Sequence, residues 1–191
     1  MLLPDTMRPA RRFEVTQIET TGGALALTLT PKGKSLSVSP GQFGILSFDA
    51  EKLSEPHPFS FSKIGDNGSL RVSIKALGDF TTTLGKTVKT GDTLLIQGPF
   101  GRFRHTGKRP QIWIAGGIGI TPFLTWAHAL DAKSPSVDLF YCVKSRDAAP
   151  HVQELEAIAL SKSNLNLHII ASSDGTRLTA EHIAQTVQSD L

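Results

Sequence analysis

The sequence predicts two domains, a six-stranded antiparallel β-barrel followed by an α/β doubly wound parallel sheet. Three observations carry this expectation. Up to residue 100, apolar residues recur at alternate positions in short runs bounded by Gly, Pro, Asn and Asp, the pattern of half-buried strands joined by tight turns. From Pro110 onward, apolar runs of strand length alternate with stretches of helical period, which is the spacing of βαβ units. Where the first such strand meets the first such helix stands a glycine-rich turn, Gly116-Gly117-Ile118-Gly119-Ile120-Thr121-Pro122.

Taken in order, residues 12–18 and 25–30 alternate around Gly22-Gly23 and form a hairpin, with Phe13 and Val15 in one arm and Leu25, Leu27 and Leu29 in the other. Pro40-Gly41 leads into a strand over 43–48. A strand over 57–64 follows, then the turn Asp66-Asn67-Gly68 and a strand over 70–76 in which Leu70, Val72 and Ile74 alternate. A brief helix is expected near 81–86, and Gly91-Asp92 introduces the last barrel strand at 93–97. Such a run of short antiparallel strands closes most simply as a small barrel. In the second half, strands are expected at 111–115, 137–143 and 165–171, and helices through Phe123, Leu124, Ala127 and Leu130, at 152–160 and at 179–187. The basic segment 102–109 separates the halves, giving a barrel domain over 1–106 and an α/β domain over 107–191.

Composition narrows the classes. At 191 residues and 39% hydrophobic, the chain can bury a core without metal or disulfide staples. Its 17 Gly, 11 Pro and single Cys exclude collagenous, disordered and disulfide-scaffold proteins. Cys142 lies in an apolar run, as expected of a buried strand cysteine in a reducing compartment. The start MLLPDTMRPARR is too short in apolar residues for a signal peptide, so a cytoplasmic location is expected. Residues 110–130 carry no charge and are long enough to span a bilayer, but their glycine-rich centre would break a helix where lipid supplies no hydrogen bonds.

Several segments are candidate ligand sites. In the glycine-rich turn, Gly116, Gly117 and Gly119 let a backbone approach a pyrophosphate, while Thr121 as N-cap and Pro122 at the first helical position start a helix whose N–H groups face the anion. The spacing is Gly-x-Gly-x-x-Pro, without the third glycine of the usual dinucleotide fingerprint, and a ligand-free turn is the alternative. The second strand of the sheet ends at Val143-Lys144-Ser145-Arg146-Asp147, where a dinucleotide fold meets the adenosine ribose. There Ser145 and Arg146 favour the 2′-phosphate of NADPH, and Asp147 keeps a solvated loop in play. In the barrel, His57-Pro58-Phe59-Ser60 joins an aromatic to a hydroxyl, and Lys75-Ala76-Leu77-Gly78-Asp79-Phe80-Thr81 could form a second anion-binding helix start. Each also reads as ordinary barrel strand and turn. His151 and Glu154 share a helix with an apolar opposite face and are expected on a solvated surface.

Together, Pro40-Gly41-Gln42-Phe43, His57-Pro58-Phe59-Ser60, Gly78-Asp79-Phe80-Thr81, Gly98-Pro99-Phe100-Gly101 and the 116–122 turn, in this order, resemble the ferredoxin-NADP reductase superfamily, specifically its ferric reductase and NADPH oxidase branch. The resemblance implies a flavoprotein oxidoreductase that takes a hydride from NADPH, or NADH, onto FAD and passes single electrons to a haem-bearing membrane domain or an iron acceptor. By the same resemblance, Phe59 would lie against the isoalloxazine and Ser60, the candidate catalytic residue, would hydrogen-bond near flavin N5. His57, beside Pro58, would stand where most relatives use Arg near the pyrophosphate, and Gly78 and Thr81 would hold that pyrophosphate with Lys75 close by. Gly116, Gly117, Gly119, Thr121 and Pro122 would take the nicotinamide nucleotide.

Members of that branch also carry an N-terminal haem-bearing helical domain and a final strand with Cys-Gly-Pro, neither of which occurs in this sequence. A shortened chain, belonging to a protein at the cytoplasmic face of the inner membrane, is therefore expected. The rival from another class is a non-catalytic FAD- and nucleotide-binding module that regulates a partner. Nucleic-acid binding rests only on the mildly basic charge of +3 and the cluster Arg102, Arg104, Lys108 and Arg109, and the 7% aromatic residues are not interleaved with those bases. Gly85-Lys86-Thr87 resembles the end of a P-loop, but Phe80 stands where its first glycine is required, and the six His lack metal-ligand spacing.

Overall fold

Apolar side chains at every second position commit the first half of the chain to strands with one buried face. The computed structural model describes residues 10–50, 53–105 and 108–189. The first nine residues, the last two and the expected domain boundary at 106/107 lie outside the described residues. Strands β1 (Ala10–Thr21), β2 (Ala24–Pro31), β3 (Phe43–Phe48), β4 (His57–Ile64), β5 (Leu70–Lys75) and β6 (Thr93–Phe100) close in the order β1-β2-β5-β4-β3-β6, every pair antiparallel. Phe13, Val15, Leu27, Leu29, Leu46, Phe61, Val72 and Ile96 fill the interior. Helix α1 (Asp79–Thr87) covers one end and inserts Leu84 into the same core.

The second half alternates as expected: β7 (Gln111–Gly116), α2 (Thr121–Ala129), β8 (Val137–Val143), α3 (Val152–Ser161), β9 (Leu165–Ala171) and α4 (Ala180–Ser189). The strands run parallel in the order β7-β8-β9. Adjacent residues of a strand face opposite ways, so Tyr141 packs with α2 and α3 through Leu124, Ala127 and Leu155, while Phe140 faces His168 of β9 and His182 of α4. Helices therefore cover both faces. Residues 110–130 are a strand, a turn and a nine-residue helix, and among the described residues no helix is long and apolar enough to cross a membrane.

One expected boundary shifts. A 3-10 turn over Gly117–Ile120 precedes α2, so Ile120 takes the N-cap and Thr121 is already helical, donating its hydroxyl to the Ile118 carbonyl at 3.3 Å. Gly117 makes this possible: its φ of 49° lets the chain begin to coil one turn before Pro122.

The barrel and the α/β unit meet along a seam with two points of close backbone approach. At the first, the Pro40-Gly41 turn docks on α2, where the Gly41 N–H donates to Thr125 Oγ1 at 2.9 Å. A Cβ on Gly41 would lie 2.0 Å from the Phe103 carbonyl oxygen. At the second, the β1–β2 hairpin rests on the segment before α3, and a Cβ on Gly22 would lie 2.3 Å from the Ala149 carbonyl carbon and 2.4 Å from the Pro150 nitrogen.

Gly22 and Gly23 give a paired test of that contact. Both are left-handed, at φ 52° and 72°, but a Cβ on Gly23 meets nothing within 4 Å. Gly23→Ala should cost about 1 kcal/mol from backbone strain alone. Gly22→Ala should cost about 3 kcal/mol in urea unfolding because overpacking against rigid backbone is added. Equal losses would show that the hairpin can lift away from Ala149.

Candidate functional site

The first group of candidate residues gathers at one end of the barrel. β4 begins with His57 and Pro58, and places Phe59 opposite Gly44 and Ser60 opposite Phe43. The His57 ring lies 3.7 Å, centre to centre, from that of Phe80 in the first turn of α1, and Phe59 stacks on Phe80 at 6.4 Å. β4, β5 and α1 thus bring His57, Phe59, Gly78 and Thr81 together, with Lys75 as the last residue of β5. His57 Nε2 is buried without a hydrogen-bond partner, and the Glu55 carboxylate stands 3.6 Å away. An orphaned buried nitrogen of this kind is suited to a ligand oxygen.

Thr81 does a different job from the one expected. Its hydroxyl accepts the N–H groups of Leu77 and Gly78 at 3.0 and 3.1 Å and donates to the Gly78 carbonyl, so it builds the start of α1. What α1 offers an anion is the unpaired backbone N–H groups of its first turn. Gly78 leaves that turn uncovered, since a Cβ there would meet nothing within 4 Å.

The second group lies at the C-terminal edge of the parallel sheet, where open α/β folds bind ligands. Open space lies before Gly116, Gly117 and Gly119, as a Cβ at any of them would meet nothing within 4 Å. Beside Gly117 is a cavity of about 490 Å³ lined also by Cys142, Lys144, Ser172, Thr176 and Arg177. Burial pushes the Cys142 thiol up, so it stays protonated there. Ser145 and Arg146 do not line this cavity, and Arg146 pairs instead with Glu156 of α3. Sequence reasoning applied the strand-end rule to β8 and omitted β9. The segment Ser172-Ser173-Asp174-Gly175 that follows β9 meets the same criterion.

A third cluster was missed for a different reason. His151 is buried at 5% exposure, contrary to the expected solvated surface. It precedes α3 in the left-handed region at φ 59° and turns inward across the seam, because its N–H donates to Thr21 Oγ1 at 2.8 Å and its Nε2 lies 2.7 Å from Ser73 Oγ. Glu154 accepts from Arg71 Nη2 at 2.8 Å, His128 Nε2 at 2.7 Å and His151 Nδ1 at 3.1 Å. Burial alone would push the Glu154 carboxyl up. The hydrogen bonds from both histidines and the Arg71 guanidinium outweigh it and hold the group well below the usual carboxylate range.

Comparison with known proteins agrees with the geometry. A family model described as an FAD-binding domain matches residues 10–116. Methane monooxygenase component C from Methylosinus trichosporium is 30% identical over 146 residues, 73% of this chain and 42% of that protein. A flavohemoprotein from Pseudomonas putida is 32% identical over 119 residues, 61% of this chain and 30% of that protein. The chain thus spans less than half the length of either relative. Among solved structures, a ferredoxin-NADP+ reductase from Plasmodium falciparum superposes with a TM-score of 0.78 at 16% identity, covering 99% of this chain and 83% of that one, which shows the shared fold.

The depressed Glu154 carboxyl fixes the sign of a pH effect. A free glutamate titrates near pH 4.3, at about which the unfolded chain takes up a proton that the folded chain refuses. The stabilisation is therefore complete above that range and is lost as pH falls. Urea midpoints measured between about pH 6 and pH 3 should fall more steeply for the wild type than for Glu154→Gln. Parallel curves would remove Glu154 from the acid response.

Proposed function

The chain belongs to the FAD-binding domain family of the ferredoxin-NADP reductase superfamily, and from that we propose that it is the flavin- and nicotinamide-binding part of an NAD(P)H-dependent oxidoreductase. The observation that carries this reading is the shared seam. The glycine-rich turn opens α2, and α2 packs on β4, whose first four residues are His57, Pro58, Phe59 and Ser60. Two sites suited to dinucleotides thus adjoin one interface, as transfer between two bound cofactors requires.

FAD, when bound, supplies a hydride acceptor that can release electrons singly. Phe59 offers a flat apolar surface and Ser60 a hydroxyl beside it. The buried His57 Nε2 and the first-turn N–H groups behind Gly78 would hold the pyrophosphate, with Thr81 fixing their direction and Lys75 adding positive charge. On the other side of the seam, Gly116, Gly117 and Gly119 would allow close backbone approach, and Thr121 and Pro122 begin the helix whose N-terminus would take the second pyrophosphate. Lys144 and Arg177 in the adjoining cavity favour a 2′-phosphate, hence NADPH over NADH. No protein acid or base is needed for hydride delivery itself, so the work of these residues is orientation and electrostatics.

The relatives' names, a monooxygenase component and a flavohemoprotein, support an iron or haem acceptor on a partner domain or protein. That acceptor need not be the membrane-borne haem domain of the ferric reductase branch.

Two binding measurements test the reading. Visible-spectrum titration should give FAD an affinity about tenfold or more above FMN, and His57→Ala should erase most of that advantage, the loss expected for a charge-assisted phosphate contact. Equal affinities in the wild type would defeat the flavin assignment. In calorimetry, Lys144→Ala with Arg177→Ala should weaken 2′-phospho-AMP about tenfold or more while leaving AMP nearly unchanged. A loss produced instead by Ser145→Ala with Arg146→Ala would move the phosphate site to the loop after β8.

A further inference from the structure

We propose that Glu154, His151 and Tyr141 are positioning residues that set where the glycine-rich turn stands relative to the barrel. Nothing in the flavin or nucleotide sites requires these side chains to touch a ligand. Their connection to those sites is mechanical, and it can be followed atom by atom. On the barrel side, Arg71 donates to Ser62 from Nε at 3.1 Å, and Ser73 Oγ donates to Ser62 Oγ at 2.8 Å, so β4 and β5 present one fixed polar surface. On the α/β side, Glu154 receives Arg71 and His128 on its two oxygens, and His151 bridges Glu154 to Ser73. One carboxylate thereby ties together β5, the end of α2 and the start of α3.

The link onward runs through Tyr141. Its ring is fully buried in β8, and its hydroxyl stands 3.0 Å from the Pro150 carbonyl and 3.1 Å from the Gly117 carbonyl. Pro150 is the residue before His151 and, with Ala149, forms the stretch on which the Gly22 hairpin rests. Gly117 is the left-handed residue that starts the glycine-rich turn. A single hydroxyl therefore lies between the nucleotide turn and the segment clamped to the barrel. His151 holds a left-handed conformation disfavoured for a side-chain-bearing residue, and such strain persists only where surrounding contacts over-determine it. Here Thr21, Ser73 and Glu154 do so.

The kinetic part of this proposal rests on the oxidoreductase reading above, and the structural part does not. Hydrogen exchange on the full chain tests the structural part, with amides at residues 117–125 compared with those of the barrel strands. Glu154→Gln should speed exchange of the turn and the start of α2 about tenfold beyond any change in the barrel. Tyr141→Phe, which keeps the ring in its place, should do the same without weakening the seam. Turn amides that exchange at the wild-type rate in Tyr141→Phe, or that rise only in step with the barrel in Glu154→Gln, overturn the proposal. In stopped-flow reduction of the FAD-loaded chain, both variants should lower the rate at saturating nucleotide about tenfold while the nucleotide Kd moves little. A raised Kd with an unchanged rate also overturns it. If the wild type is not reduced by any nicotinamide nucleotide, the oxidoreductase reading fails and exchange alone decides the positioning role.

Discussion

Two bodies that each fold around their own core have no intrinsic reason to meet at one angle, and here the angle depends on the ionised carboxylate of Glu154. It is mostly removed from water, which by itself is unfavourable, and is kept charged by a guanidinium from the barrel and imidazoles from the ends of two helices. Removing a partner from such an arrangement leaves the buried charge less compensated, so each of the three contacts supports the others. The close backbone contacts at Gly22 and Gly41 set how near the two bodies come. The charged contact selects one orientation among those that packing would allow.

Much of the fold was legible because it is written in local repeats. Turn signals around short apolar runs placed β3 and β4 at the ends they have, strand-length apolar runs did the same for β8 and β9, and the change of period at Pro110 marked the second unit. The miss at the start of α2 also has a local cause. Thr121-Pro122 is a strong helix-start signal, but the left-handed Gly117 allows an earlier turn that no side-chain preference announces.

The candidate site divides along the same line. The candidate ligand segments lie in contiguous stretches, so a resemblance carried by short motifs could single them out. The seam could not, because Arg71 and Glu154 are 83 positions apart and Ser73 and His151 are 78 apart. His151 and Glu154 looked like surface residues of an amphipathic helix since their side of α3 is polar. That side is polar because it faces another polar surface across the seam, and helical periodicity does not distinguish a polar partner from water. Lys144 and Arg177 come together for a topological reason, the side-by-side parallel pairing of β8 and β9.

The hairpin contact bears on how such units could be recombined. Chains built of two such units invite the exchange of one half for that of a relative. Thr21, Gly22, Arg71 and Ser73 belong to the barrel, yet their contacts are completed by Ala149, Pro150, His151 and Glu154. A chimera cut between β6 and β7 would divide that set even though no strand or helix was broken. Breeding a functional hybrid from this scaffold therefore means transplanting these eight residues as a heritable unit, with the crossover point chosen by the seam and not by the linker.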